Sequence, residues 1–125
     1  RLLPGDDLIR KLKQAAKTLD LQAGYVQACV GSTGTTVLRP AGVKEAKTFE
    51  GKFEIVSLSG TVSKDGCHVH LCVSDHECKT YGGHLMEGTI VRTTAEIVIG
   101  NIHGVTFSRD LDDRTGYDEL FIHES

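Results

Sequence analysis

The stretch Lys52-Phe53-Glu54-Ile55-Val56-Ser57-Leu58-Ser59-Gly60-Thr61-Val62-Ser63, then Lys64-Asp65-Gly66, then Cys67-His68-Val69-His70-Leu71, decides the fold. Its first part is a long strand. The Asp-Gly pair is a tight hairpin turn, and the run that follows is a second strand folded back on the first. Side chains alternate faces along a strand, so His68 and His70 point one way while Val69 and Leu71 point the other.

Beyond the histidine strand, Ser74-Asp75-His76-Glu77-Cys78-Lys79 is polar and reads as the loop of a second antiparallel hairpin centred near Glu77. Residues facing each other then have numbers summing to about 154. His70 and His84 satisfy that sum, which places their Cβ atoms about 5 Å apart on one face. A slip of one residue would turn His84 to the other face. The strand carrying His68 and His70 is paired on both sides, and a central strand suits a preformed site.

Three neutral imidazoles on neighbouring strands, with a fourth position left to water or a ligand, form an open zinc arrangement. Iron, copper, nickel or cobalt also suit such nitrogen donors. A single histidine would be read as a polar residue on a solvated strand face or a hydrogen-bonded core residue. Three at this spacing, His68, His70 and His84, are read as metal ligands. Cys72 shares their parity and is a substitute ligand in principle, but a small buried hydrophobe is the preferred reading. Gly82-Gly83 before His84 permits a close backbone approach or a bulge, and a bulge would change the register.

Glu96, in an apolar strand, is the candidate carboxylate for a metal site, as a ligand, as an orienter of an imidazole or as a general base. Its parity with Arg92 and Thr94 equally allows an ordinary solvent face. Glu54 carries the same ambiguity. His76 in the loop, His103 in a turn and His123 near the end read as surface histidines, although a subunit interface could bring one of them to the metal.

Upstream, acids at Asp6 and Asp7 precede Leu8, Ile9, Leu12, Ala15, Ala16 and Leu19, a spacing that predicts an amphipathic helix over residues 6–19. Tyr25 to Val30 reads as a strand, Gly31-Ser32-Thr33-Gly34 as a turn, and Thr35 to Leu38 as a second short strand. The glycines at 31 and 34 lack the Gly-Lys-Ser/Thr continuation of a phosphate-binding loop. Gly88 to Ile102 is rich in β-branched residues, Gly104 to Ser108 adds a short strand, and Leu120-Phe121-Ile122 forms a last one. Most strands follow one clear helix, so the fold class is α+β, a single domain over residues 1–125 with a largely antiparallel sheet and the N-terminal helix packed on it. Ile90 with Val91 and Ile97 with Val98 are apolar on both parities. One helix cannot cover so much apolar sheet, which points to burial against other subunits.

The 125 residues suffice for a real core without disulfides. A net charge of −3 and a pI near 6.1 disfavour unaided binding to phosphate backbones. Cys29, Cys67, Cys72 and Cys78 contain no Cys-x-x-Cys pair and sit mostly in strand-like runs, as reduced intracellular thiols do. A cytoplasmic or nuclear setting is expected. No apolar run approaches the roughly 20 residues needed to cross a bilayer, and no signal pattern opens the chain. It begins at Arg1 rather than methionine, so any removed targeting segment is invisible.

The run Gly51 to Gly60, then His68-Val69-His70, Gly82-Gly83-His84-Leu85 and Thr94-Ala95-Glu96-Ile97-Val98, resembles the PPC (plants and prokaryotes conserved) domain. The opening Arg1-Leu2 and Pro4-Gly5-Asp6-Asp7-Leu8 fit as well. The resemblance implies an α+β domain that assembles as a homotrimer. In plants the domain follows AT-hook segments in nuclear DNA-binding proteins and mediates their association; many bacterial and archaeal members are the domain alone. With no Arg-Gly-Arg-Pro hook in this chain, direct DNA binding transfers poorly. The three histidines match stand-alone members that resemble metal-binding proteins of undefined activity. Two expectations result. One is a homotrimer holding zinc on His68, His70 and His84, with a small molecule or activated water at the open position; whether it is an enzyme is left open. The other is a DNA-associated or nuclear interaction module that acts through trimerisation, without intrinsic catalysis.

Overall fold

The computed structural model describes residues 1–124, and these form one helix and nine strands. Helix α1 (Leu8–Thr18) starts two residues later than the expected residue 6 because Asp7 is its N-cap. The Asp7 carboxylate accepts the amide of Arg10 at 3.2 Å through one oxygen and that of Gly88 at 2.8 Å through the other. The cap thus also ties the helix to the chain entering the last long strand. Leu8, Ile9, Leu12 and Ala16 form the buried stripe and pack over the central strands.

The strands are β1 (Gly24–Thr33), β2 (Thr36–Arg39), β3 (Lys47–Phe49), β4 (Phe53–Ser63), β5 (Gly66–Ser74), β6 (Thr80–Leu85), β7 (Val91–Asn101), β8 (Val105–Asp112) and β9 (Tyr117–Glu124). Seven of them form one sheet in the order β3-β2-β6-β5-β4-β1-β7, while β8 and β9 make a separate ribbon. All the strand pairings are antiparallel. Both hairpins read from sequence are present: Ser63 faces Gly66 across the first turn, and Ser74 faces Thr80 across the second loop.

Three expectations need correction. Gly31-Ser32-Thr33 is no turn but the end of β1, which bends through irregularities at residues 26–28 and 31–33. Gly31 has φ +153 there, and a Cβ on it would collide with the carbonyl of Thr94 on β7. The edge strand β3 is too short to show periodicity and escaped the sequence reading. The two short strands expected near the end are eight residues each, and they pair with one another rather than with the main sheet.

The core lies between α1 and one face of the sheet, where Leu38, Val62, Val69, Leu71, Val73 and Val91 are almost wholly inaccessible. Buried hydroxyls are satisfied: Thr33 and Thr36 share a 2.7 Å hydrogen bond, and Thr89 accepts the amide of Val37 at 2.9 Å. On the opposite face, Val30, Val56 and Val98 stand on the adjacent strands β1, β4 and β7, each more than half exposed. That is the apolar surface which one helix does not cover.

Candidate metal centre

Strand β5 exposes His68 and His70 and buries Val69 and Leu71, as alternation requires. His70 pairs directly with His84 on β6, so the second hairpin has the predicted register and the Gly82-Gly83 pair introduces no slip. Gly83 is needed for a different reason: a Cβ there would stand 2.9 Å from the carbonyl oxygen of Arg39 on β2. The His68 and His70 ring centroids are 5.1 Å apart, those of His68 and His84 5.2 Å, and those of His70 and His84 5.7 Å.

One nitrogen from each ring lies within 4.8 Å of the other two. Tetrahedral zinc with bonds of about 2.0–2.1 Å needs nitrogens about 3.4 Å apart, so the rings must swing inward by about an ångström. His68 and His70 are exposed, and among the described residues no side-chain hydrogen bond holds either ring. Ligands must be unprotonated to bind a metal. Burial, followed by the charges of Arg39, His68, His70 and Lys13, pushes His84 down to about 4. Burial, then Arg109 and His70, also lowers His68, with Glu119 opposing. The donor set therefore fits a divalent transition metal.

The backbone beneath the histidines is set by Gly60 on β4. With φ +148 it lies so close to β5 that a Cβ would strike the carbonyl oxygen of His68 and stand 2.7 Å from the Cα of Val69. Over the exposed face hangs the β8-β9 ribbon, anchored by Arg109: its amide donates to Asp65 at 2.6 Å and its guanidinium to Thr61, the partner of His68, at 2.6 Å.

The other candidates are placed elsewhere. Glu96 is exposed on β7, which β1 and β4 separate from β5, so roughly 14 Å of sheet lies between it and the histidines within one chain. Glu54 is exposed at the far end of β4, opposite Ser74. Cys72 is half-buried on the histidine face, but it is not in the group close enough to share an ion. His76 is exposed 3.4 Å from Glu77, His103 is exposed between β7 and β8, and His123 lies on β9, 2.8 Å from the Ser108 hydroxyl. Burial raises the Cys29 thiol to about 11, which leaves it inert.

Sequence reading missed Arg39, Arg109, Tyr117 and Glu119, which surround the triad. They arrive through the β2-β6 pairing and the terminal ribbon, contacts between segments far apart in the chain, and no local spacing signals them.

The pattern of the Plants and Prokaryotes Conserved (PCC) domain matches residues 1–103, ending just before the ribbon. A hypothetical protein from Salmonella enterica shares 41% identity with a TM-score of 0.95, over 98% of this chain and 89% of that one. The metal-containing protein of Archaeoglobus fulgidus is 27% identical with a TM-score of 0.78, covering 96% and 89%. A PPC protein from Pyrococcus horikoshii is 25% identical with a TM-score of 0.77, covering 99% and 90%. Among curated proteins, the bifunctional protein GlmU of Synechococcus sp. (strain JA-3-3Ab) is 44% identical over 124 residues, 99% of this chain. The chain spans about a fifth of the length of the curated relatives it matches, 20% and 19% in two Synechococcus strains.

Proposed function

Since this chain belongs to the Plants and Prokaryotes Conserved domain family, we propose that it is a metal-binding protein in which His68, His70 and His84 hold zinc or another divalent transition metal within a homotrimer. The observation that carries the reading is the convergence of three imidazole nitrogens within 4.8 Å on the paired interior strands β5 and β6. The metal-containing relative from Archaeoglobus fulgidus supports it. When bound, zinc supplies Lewis-acid polarisation and brings the pKa of a coordinated water to around 7. The three histidines leave one position of a tetrahedral site for a small ligand.

The trimer is supported by the exposed Val30, Val56 and Val98, a surface that a second copy of the chain would remove from water. Free thiols at Cys29, Cys67, Cys72 and Cys78 suit a reducing cytoplasmic or nuclear compartment.

Elemental analysis of untagged protein after exposure to zinc tests the metal reading. The expected result is one ion per chain, lost in His70→Ala. Absence of stoichiometric metal in the wild type overturns it.

A second reading, an interaction module that acts through self-assembly, is favoured by one observation: the chain corresponds to only a fifth of its GlmU relatives, where it accompanies much additional sequence. Under that reading His70→Ala assembles and engages partners like the wild type. A salt titration against AT-rich duplex checks direct DNA contact, which the net charge of −3 opposes.

A further inference from the structure

Strands β2 and β6 pair so that Arg39 stands directly opposite His84, which in turn faces His70. Directly opposed residues send their side chains to the same face, so Arg39 continues the row of imidazoles. It is half-buried, yet among the described residues its guanidinium makes neither an ion pair nor a side-chain hydrogen bond. A guanidinium partly withdrawn from water without a counter-charge is costly unless a ligand supplies one.

The space beside it is a cavity of about 580 Å³, walled by Arg39, Lys44, the three histidines and Tyr117, with no carboxylate in its lining. That volume suits a small metabolite. Lys13 and Arg109 add positive charge in an adjoining cavity of about 430 Å³, where the acidic Asp65, Asp118 and Glu119 are found. Imidazoles contribute no negative charge, so a divalent ion held by them would make the cavity beside Arg39 more positive still. The planar fork of arginine matches the paired oxygens of carboxylates and phosphates.

We propose that this cavity binds a small oxyanion-bearing molecule, a carboxylate or a phosphate ester, whose charged group is held by Arg39 with Lys44 beside the histidine triad. The ligand's second contact rests on the metal reading above; the contact with Arg39 does not.

The test is a titration of isotope-labelled protein, metal-free and zinc-loaded, with succinate and in parallel with methyl phosphate, followed by amide shifts in the nuclear magnetic resonance spectrum. Saturable shifts near Arg39 and Gly83-His84 are expected, and the tighter probe names the ligand class. Arg39→Gln should weaken binding by at least about tenfold, the usual scale for losing a charged bidentate contact, with zinc content unchanged. Lys44→Gln, on an exposed loop, should weaken it by a smaller factor. Absence of saturable binding of either probe to either form of the wild type overturns the proposal, as does Arg39→Gln binding like the wild type. Should zinc fail to bind while the metal-free protein takes up an anion through Arg39, the metal reading falls and this one stands.

Discussion

His70 and His84 face each other as directly paired residues of β5 and β6, their ring centroids 5.7 Å apart, and His68 completes the triangle from the same strand face. One nitrogen from each ring lies within 4.8 Å of the other two. Replacing His68, His70 or His84 singly by alanine should lower zinc affinity by at least about tenfold, whereas His76→Ala, exposed on the loop, should leave it unchanged. Competition with a chromophoric zinc chelator measures both.

His84 should titrate near pH 4, because burial and the cations around it disfavour its charged form. Between about pH 4 and 6.5 the unfolded chain binds a proton here that the folded chain does not, so stability of the metal-free protein rises with pH across that window and levels off above it. His68, also lowered, acts in the same direction. Urea denaturation at a series of pH values checks the slope. His84→Gln should flatten it, and an unchanged slope in that variant would contradict the assignment.

Gly60→Ala should destabilise the protein by about 2 kcal/mol or more, since its Cβ would fall on the backbone of His68 and neither strand can withdraw without breaking the pairing. It should also weaken zinc binding by displacing His68. Gly42→Ala is the control: its φ of +73 carries a cost of about 1–2 kcal/mol, but nothing lies within 4 Å of the added carbon. Thermal melts of the two variants should rank in that order, with metal affinity changed only in the first.

Asp7→Ala removes both a helix cap and the acceptor of the Gly88 amide, so it should cost about 1–2 kcal/mol. Asp7→Asn retains an acceptor and should recover much of the loss. Chemical denaturation of the pair measures the difference.

Val56→Lys and Val98→Lys place charges on the exposed apolar face without touching the helix-covered core. If that face joins subunits, light scattering should fall from three times the 13.5 kDa chain mass toward the mass of a single chain. An unaltered mass in both variants would remove the face from the interface.

The tight turn leading into β5 and the register of the hairpin that follows it were legible from residue pattern. The turn Lys64-Asp65-Gly66 and the loop after Ser74 are short, so the strands on either side can meet in few ways. The glycines near residue 31 misled, because a bulge inside a strand and a turn between strands use the same residue. β3 was invisible at three residues. The ribbon was underestimated, since its exposed Tyr117, Phe121 and Ile122 interrupt simple alternation.

By itself, then, the amino-acid order determined that His68, His70 and His84 share one face: alternation and a short loop are local constraints that act before any distant contact forms. Only the tertiary structure decided what surrounds them. Arg39 lies beside His84 because β2 pairs with β6 across more than forty residues of intervening chain. Arg109 reaches Thr61 because the terminal ribbon folds back, and Glu96 stays away because β1 and β4 lie between. Such pairings depend on how the whole chain buries its apolar faces, a collective outcome that the spacing within one segment does not carry.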